Sequence, residues 1–382
     1  MHNHCTLLNF LILSVIIGIS SAYGQDILYV GTYSERGSQG LYVLEFNRAT
    51  GTLSERQTVE DKASPTFLTI HPNGKYLYAV YREGQDAQDQ QGTVAAFAIH
   101  PTDGTLRKIN EQPSLGADPC HVSVDPEGAL AYVSNYNGGN LSVYPLAADG
   151  QLASASDMVQ HTGKSVDPER QQKPYMHSII PNASGDLLYA SDLGTDKIMM
   201  YRPDRSSGKL TPAQPPYAAS TEGAGPRHFA LHPSGRWAFS VEELSSTIAA
   251  YRVDEKTGDL RPAGRVPTLP EGVSNKDNTT ADIHVSPDGK FVYASNRGHD
   301  SLVIYAVDEA TGTLTYVGHE PSHGARPRNF CLDDQGEFVF VANRNTDNVV
   351  VFKRDATSGR LTYTGNEIKV PAAVCIQQLR LP

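Results

Sequence analysis

A short motif, x-Gly-x-Leu after polar residues, returns seven times along the chain: TGTL at Gly51, DGTL at Gly104, DGQL at Gly150, SGKL at Gly208, TGDL at Gly258, TGTL at Gly312 and SGRL at Gly359. A return at roughly fifty residues is the mark of a repeat architecture, in which each unit buries its apolar faces only against its neighbours. A second motif, a turn followed by an aromatic-rich strand, occurs six times: HPNGKYLYAV, DPEGALAYVS, NASGDLLYAS, HPSGRWAFSV, SPDGKFVYAS and DDQGEFVFVA. Each unit therefore reads as four short antiparallel strands, with the x-Gly-x-Leu turn before the fourth, which describes a propeller blade. The chain enters the pattern at DILYVGTY, already a second strand, and leaves it at AAVCIQQL, a strand too many. The expectation is an all-β, seven-bladed β-propeller with four antiparallel strands per blade, in which the C-terminal strand completes the first blade and hides a sheet edge.

Composition agrees and narrows the function. Hydrophobic residues make up 39% of the 382-residue chain and charged residues 19%, as in globular domains, and the 33 Gly and 24 Pro suit many turns. A formal net charge of −10 with no basic block argues against a nucleic-acid partner. The apolar run LLNFLILSVIIGIS followed by SAYGQ reads as a secretory signal cleaved near Gly24–Gln25. Residues 1–24 are thus expected to be a signal peptide and 25–382 a single propeller domain, periplasmic or secreted, monomeric, and free of the membrane once cleaved. Of the four cysteines, Cys120, Cys331 and Cys375 remain in the mature chain, an odd and widely spaced set that forms no disulfide framework.

Aligning the units exposes residues that packing does not explain. Counted back from the turn, the first strands carry Phe67, His121, His177, His228, Asp282 and Asn329 in one column. Arg227 and Arg328 stand one residue earlier, and His284 stands two residues after Asp282, on the same strand face. The second strands end in Tyr81, Asn135, Asp192, Glu242, Asn296 and Asn343, followed by Arg82, Tyr136, Glu243, Arg297 and Arg344 among others. Antiparallel hairpins place both columns at one end of the blades, so both are expected to rim one mouth of the channel. The asparagines and Asp192 also suit turn capping, and Trp237 aligns with apolar packing positions.

Several arginines with histidines favour an anionic small molecule, because guanidinium pairs bidentately with carboxylate or phosphate. Histidine and glutamate add acid/base capacity near neutral pH. No Gly-x-Ser-x-Gly, His-Glu-x-x-His or tight His/Cys cluster occurs, so neither an activated serine nor a metal site is expected.

The stretches EGAGPRHFALHP (222–233), ADIHVSPDG (281–289) and PCHVSVDPEG with VSNYNGGNLSVY (119–144) resemble the propeller-type 6-phosphogluconolactonase, or lactonase, family. That resemblance implies hydrolytic opening of a sugar-acid lactone, with water as nucleophile and no cofactor, and kinship with fungal carboxymuconate cyclases. The cyclase pattern maps onto His177, Arg227, Glu243 and Arg297 as catalytic residues, with Arg328 a competitor for the last. His121, His228, Asp282, His284, Arg328, Asn135 and Asn343 are then expected to bind substrate. A non-catalytic sugar-acid-binding propeller and a lactonizing cyclase are the alternatives. The apparent export sits poorly with a cytosolic phosphogluconolactone substrate and leaves other aldonic lactones open.

Overall fold

Strands rich in Val, Ile, Tyr and Phe, such as Phe291–Arg297 and Phe338–Asn343, are buried along almost their whole length. Burial on both faces suits a sheet sandwiched between two others. The outermost strands, such as Thr52–Glu60, are largely open to solvent and carry the polar residues. A computed structural model describes residues 24–61, 63–82 and 91–382, and among these 28 strands form seven four-stranded antiparallel sheets. The expected signal segment, residues 1–24, falls outside the described residues except for Gly24. The innermost strands, from Ser64–Ile70 through Pro327–Leu332 to Ala373–Arg380, touch one another in a closed ring around the axis.

Closure follows the predicted route. Ala373–Arg380 is the innermost strand of the first blade and pairs with Asp26–Thr32, Tyr29 opposite Gln377 and Val30 opposite Ile376. Cys375 and Ile376 are fully buried there, one in each of the two apolar clusters that flank the blade. Each cluster spans two neighbouring blades: Trp237, Phe239 and Ile248 of one blade meet Ile283, Val292 and Val303 of the next.

The x-Gly-x-Leu turn has a second duty in this packing. Gly312 holds φ +71°, open to glycine at little cost, and a Cβ there would fall 2.3 Å from the Trp237 ring of the preceding blade. In four blades a buried tyrosine hydroxyl donates to the carbonyl of the next blade's turn glycine: Tyr29 to Gly104 at 2.9 Å, Tyr78 to Gly150 at 3.1 Å, Tyr189 to Gly258 at 2.8 Å and Tyr293 to Gly359 at 2.8 Å. The repeat is therefore an inter-blade contact as well as a hairpin turn. Trp237 belongs to this packing, its Nε1 donating to the Glu309 carbonyl at 2.8 Å.

Candidate active site

Every innermost strand loses register with its neighbour near its start. The residue passed over is Val374, Thr66, Cys120, His177, Arg227 or Arg328, and in the sixth blade the pair Ala281–Asp282. A β-bulge turns one side chain out of the alternation and aims it away from the sheet. Here it turns Thr66, Cys120, His177 and Arg328 into a cavity of about 300 Å³ at one mouth of the channel.

The bulge also corrects the column that the turn count suggests. Met176 pairs with Asp192 and Ser178 with Ser191, just as Pro226 pairs with Glu242 and His228 with Val241. His177 is thus the counterpart of Arg227 and Arg328, and Ser178 stands where the other blades carry His121 and His228. Taking Pro181–Asn182 as the turn dipeptide misplaced it by one residue, since Asn182 is the counterpart of His232. That shift is what brings His177 to the mouth.

The other side of the cavity comes from residues that end or follow the second strands: Tyr33, Arg82, Tyr136, Glu243 and Arg297. Glu243 is its electrostatic centre. Its Oε2 accepts from Arg227 Nε at 2.9 Å and pairs with Arg297 NH2 at 2.9 Å, while Oε1 accepts from Arg170 NH2 at 2.6 Å. Burial works against its charge, yet Arg297, Arg227 and Arg170 together hold the carboxyl far below the usual carboxylate range. Arg227 itself is 1% exposed and does not line the cavity; it holds Glu243 and the Ala281 carbonyl from beneath.

Arg328 stands apart. Its guanidinium lies over the Tyr33 ring at 5.3 Å and, among the described residues, has no carboxylate partner. Arg82, Arg170, Arg227 and Arg297 each have one. Arg297 donates NH2 to the Thr280 carbonyl, but its buried Nε has no hydrogen-bond partner. Burial, with Arg227 and His228 nearby, pushes the His177 imidazole well below its usual range, so it is neutral at pH 7. Its Nδ1 lies 3.8 Å from the Cys120 thiol. Burial also pushes that thiol up to about 12, so it stays protonated.

Other expected residues go elsewhere. His121, His228, Asp282 and His284 line a cavity of about 800 Å³ that includes the turns after the innermost strands, not the arginine-rich mouth. Asp282 gathers four donors there: His228 Nδ1 at 2.6 Å, His284 Nε2 at 2.9 Å, Asn329 Nδ2 at 2.6 Å and the Phe330 amide at 3.2 Å. Asn135 and Asn343 are wholly buried inside their blades, donating to the Ser114 and Ser322 carbonyls, and so do not reach the mouth as expected of substrate ligands. Asn296 makes the same bond to Thr268.

Sequence reasoning passed over Tyr33, Asp118 and Arg170. Tyr33 was legible, since it follows the second strand of the first blade as Glu243 follows its own. Arg170 comes from the connection between Asp157–Gln160 and Met176–Pro181, which is longer than its counterparts between the other blades. Among the described residues no group of three or more His, Cys, Asp or Glu is placed to hold a metal ion.

A family model described as lactonase, 7-bladed beta-propeller, matches residues 27–378. A 6-phosphogluconolactonase of Bacillus subtilis (strain 168) is 36% identical over 305 residues, covering 80% of this chain and 84% of that one. One from Formosa agariphila is 33% identical over 312 residues, covering 80% and 86%. The solved periplasmic gluconolactonase of Pseudomonas aeruginosa superposes with a TM-score of 0.87 at 31% identity, over 94% of this chain and 100% of that chain.

Proposed function

The chain belongs to the seven-bladed β-propeller lactonase family, and from that premise we propose that it hydrolyses the lactone of a sugar acid at the arginine-rich mouth, with water as the nucleophile. One observation carries the reading. Arg328 is a guanidinium at the cavity with no carboxylate partner among the described residues, so its charge is available to a ligand. It receives the anionic or most electron-rich substituent of the substrate. Arg297, which lines the same cavity, adds positive charge near the carbonyl oxygen as water adds.

Glu243 and Arg227 serve this site by position. The carboxylate ties three guanidinium groups into a fixed array, so the charges are in place before substrate arrives. A carboxylate so strongly stabilised is a poor proton acceptor, which removes Glu243 as the base. Neutral His177 contributes a hydrogen-bonding ring at the wall, where it orients the water or the lactone oxygen. The apolar N-terminal run and the periplasmic neighbour in Pseudomonas aeruginosa both support an exported enzyme acting on aldonic lactones outside the cytoplasm.

A pH-stat screen of the mature protein tests this, using glucono-1,5-lactone, its 6-phosphate and other aldonic lactones against the spontaneous rate. The expected result is acid release above background for at least one of them. Background rates throughout would contradict the proposal.

A further inference from the structure

The mouth contains a second carboxylate. Asp118 precedes the strand Pro119–Val124 and lines the same cavity as Glu243, His177 and Arg328. The two carboxylates differ in how many cations hold them. Glu243 is enclosed by three guanidinium groups and cannot usefully take a proton. Asp118 has one ionic partner among the described residues, Arg82 at the end of Tyr76–Arg82, and one amide donor, Asn137 Nδ2. Its backbone carbonyl accepts from Tyr136 N–H at 2.8 Å, which fixes the loop that carries it.

We propose that Asp118 is the proton-transferring residue of the lactonase reaction. This rests on the lactonase reading of the mouth. Asp118 takes one proton from the attacking water as the water oxygen bonds to the lactone carbonyl carbon, and the carbonyl electron pair moves onto its oxygen. When the tetrahedral intermediate collapses, the bond from that carbon to the ring oxygen breaks. Asp118 returns the proton to the ring oxygen, which leaves as a hydroxyl. The new carboxylic acid loses its remaining proton to solvent, so Asp118 ends as it began.

The surroundings suit that work. Burial raises the carboxyl above the usual aspartate range, and Arg82 and Asn137 oppose the rise only in part. The groups facing it are Arg82, Asn137, the more distant Arg328 on Pro327–Leu332 and the thiol of Cys120 on its own strand. The thiol stays protonated, pushed up to about 12 by burial, and the Arg328 guanidinium is raised further from its usual range. Two acids in one pocket whose environments push them apart are the usual arrangement where one must titrate and the other must not.

The test is the pH profile of kcat/KM for wild type, Asp118→Asn, Asp118→Glu and Glu243→Gln on the best lactone of the screen. Asp118→Asn is expected to lose about 100-fold or more at neutral pH, as loss of a general base does, and to lose the acid limb of the profile. Asp118→Glu is expected to keep an acid limb displaced from the wild-type position, and Glu243→Gln to keep the limb where it was, each at whatever rate remains. An Asp118→Asn enzyme that is folded and retains both rate and acid limb overturns the role of Asp118 alone. A wild type that opens no lactone overturns the lactonase reading and the proposal with it. Should Asp118→Asn fail to fold, the acid limb of Asp118→Glu decides: the limb must shift from its wild-type position, and an unmoved limb overturns the proposal.

Discussion

Three guanidinium groups converge on the Glu243 carboxylate, and that convergence determines what the residue can do. A glutamate at the end of a strand in a polar column reads equally as a base or as an ion-pair partner, and the sequence offers no count of its neighbours. Arg170 adds a third cation to it from a loop between two blades, which favours the ion-pair reading. With Arg227 only 1% exposed, Glu243→Gln leaves a buried cation short of its partner. Breaking a buried ion pair by removing one member costs about 3–5 kcal/mol. The variant is therefore expected to melt several degrees below wild type, in contrast with a pure base substitution, which lowers kcat at unchanged melting temperature. Calorimetry distinguishes the two. His177 shows the other limit on reading residues from sequence. Counted back from the turn glycine it stands eight residues before Gly185, as Arg227 stands eight before Gly235. A count that starts from Pro181 is one residue off, and the observed register, Ser178 opposite Ser191, shows that His177 occupies the bulge.

The strands themselves were legible, because a buried blade strand, a turn and a Gly-x-Leu hairpin leave separate marks in the chain and recur. Their bulges were not. A bulge depends on how two strands pair, and Thr66, Cys120, His177 and Arg328 share no residue type that would announce it. The closing strand is the sharpest test at this scale. Ala373–Arg380 pairs with Asp26–Thr32 and fills both flanking apolar clusters through Cys375 and Ile376. A chain ending before Ala372 would expose the edge of Asp26–Thr32 and the inner faces of two blades. It is expected to be insoluble or to lose cooperative melting. A truncated protein that melts like the full chain would refute closure as a source of stability.

Across the whole molecule the channel presents two chemically different faces. One mouth gathers Arg82, Arg170, Arg297 and Arg328 around two carboxylates, an excess of cationic charge in a chain whose net charge is −10. The larger cavity is lined by the His228–Asp282–His284 network, whose members mostly satisfy one another. The sequence merged the two into one ring of polar residues, since a column position fixes the height along a strand only to within a residue, and one residue reverses the side a chain faces. The separation leaves the cationic charge at one mouth, which we propose as the lactone site with Arg328 as its receptor. The direct measurement is kcat/KM of Arg328→Ala against wild type on the best lactone of the screen, with melting temperatures recorded alongside. Loss of a guanidinium that meets charge in the transition state is expected to lower kcat/KM by about 10²–10³ at a melting temperature close to wild type; equal rates for the two proteins would contradict the assignment of lactone hydrolysis to this mouth.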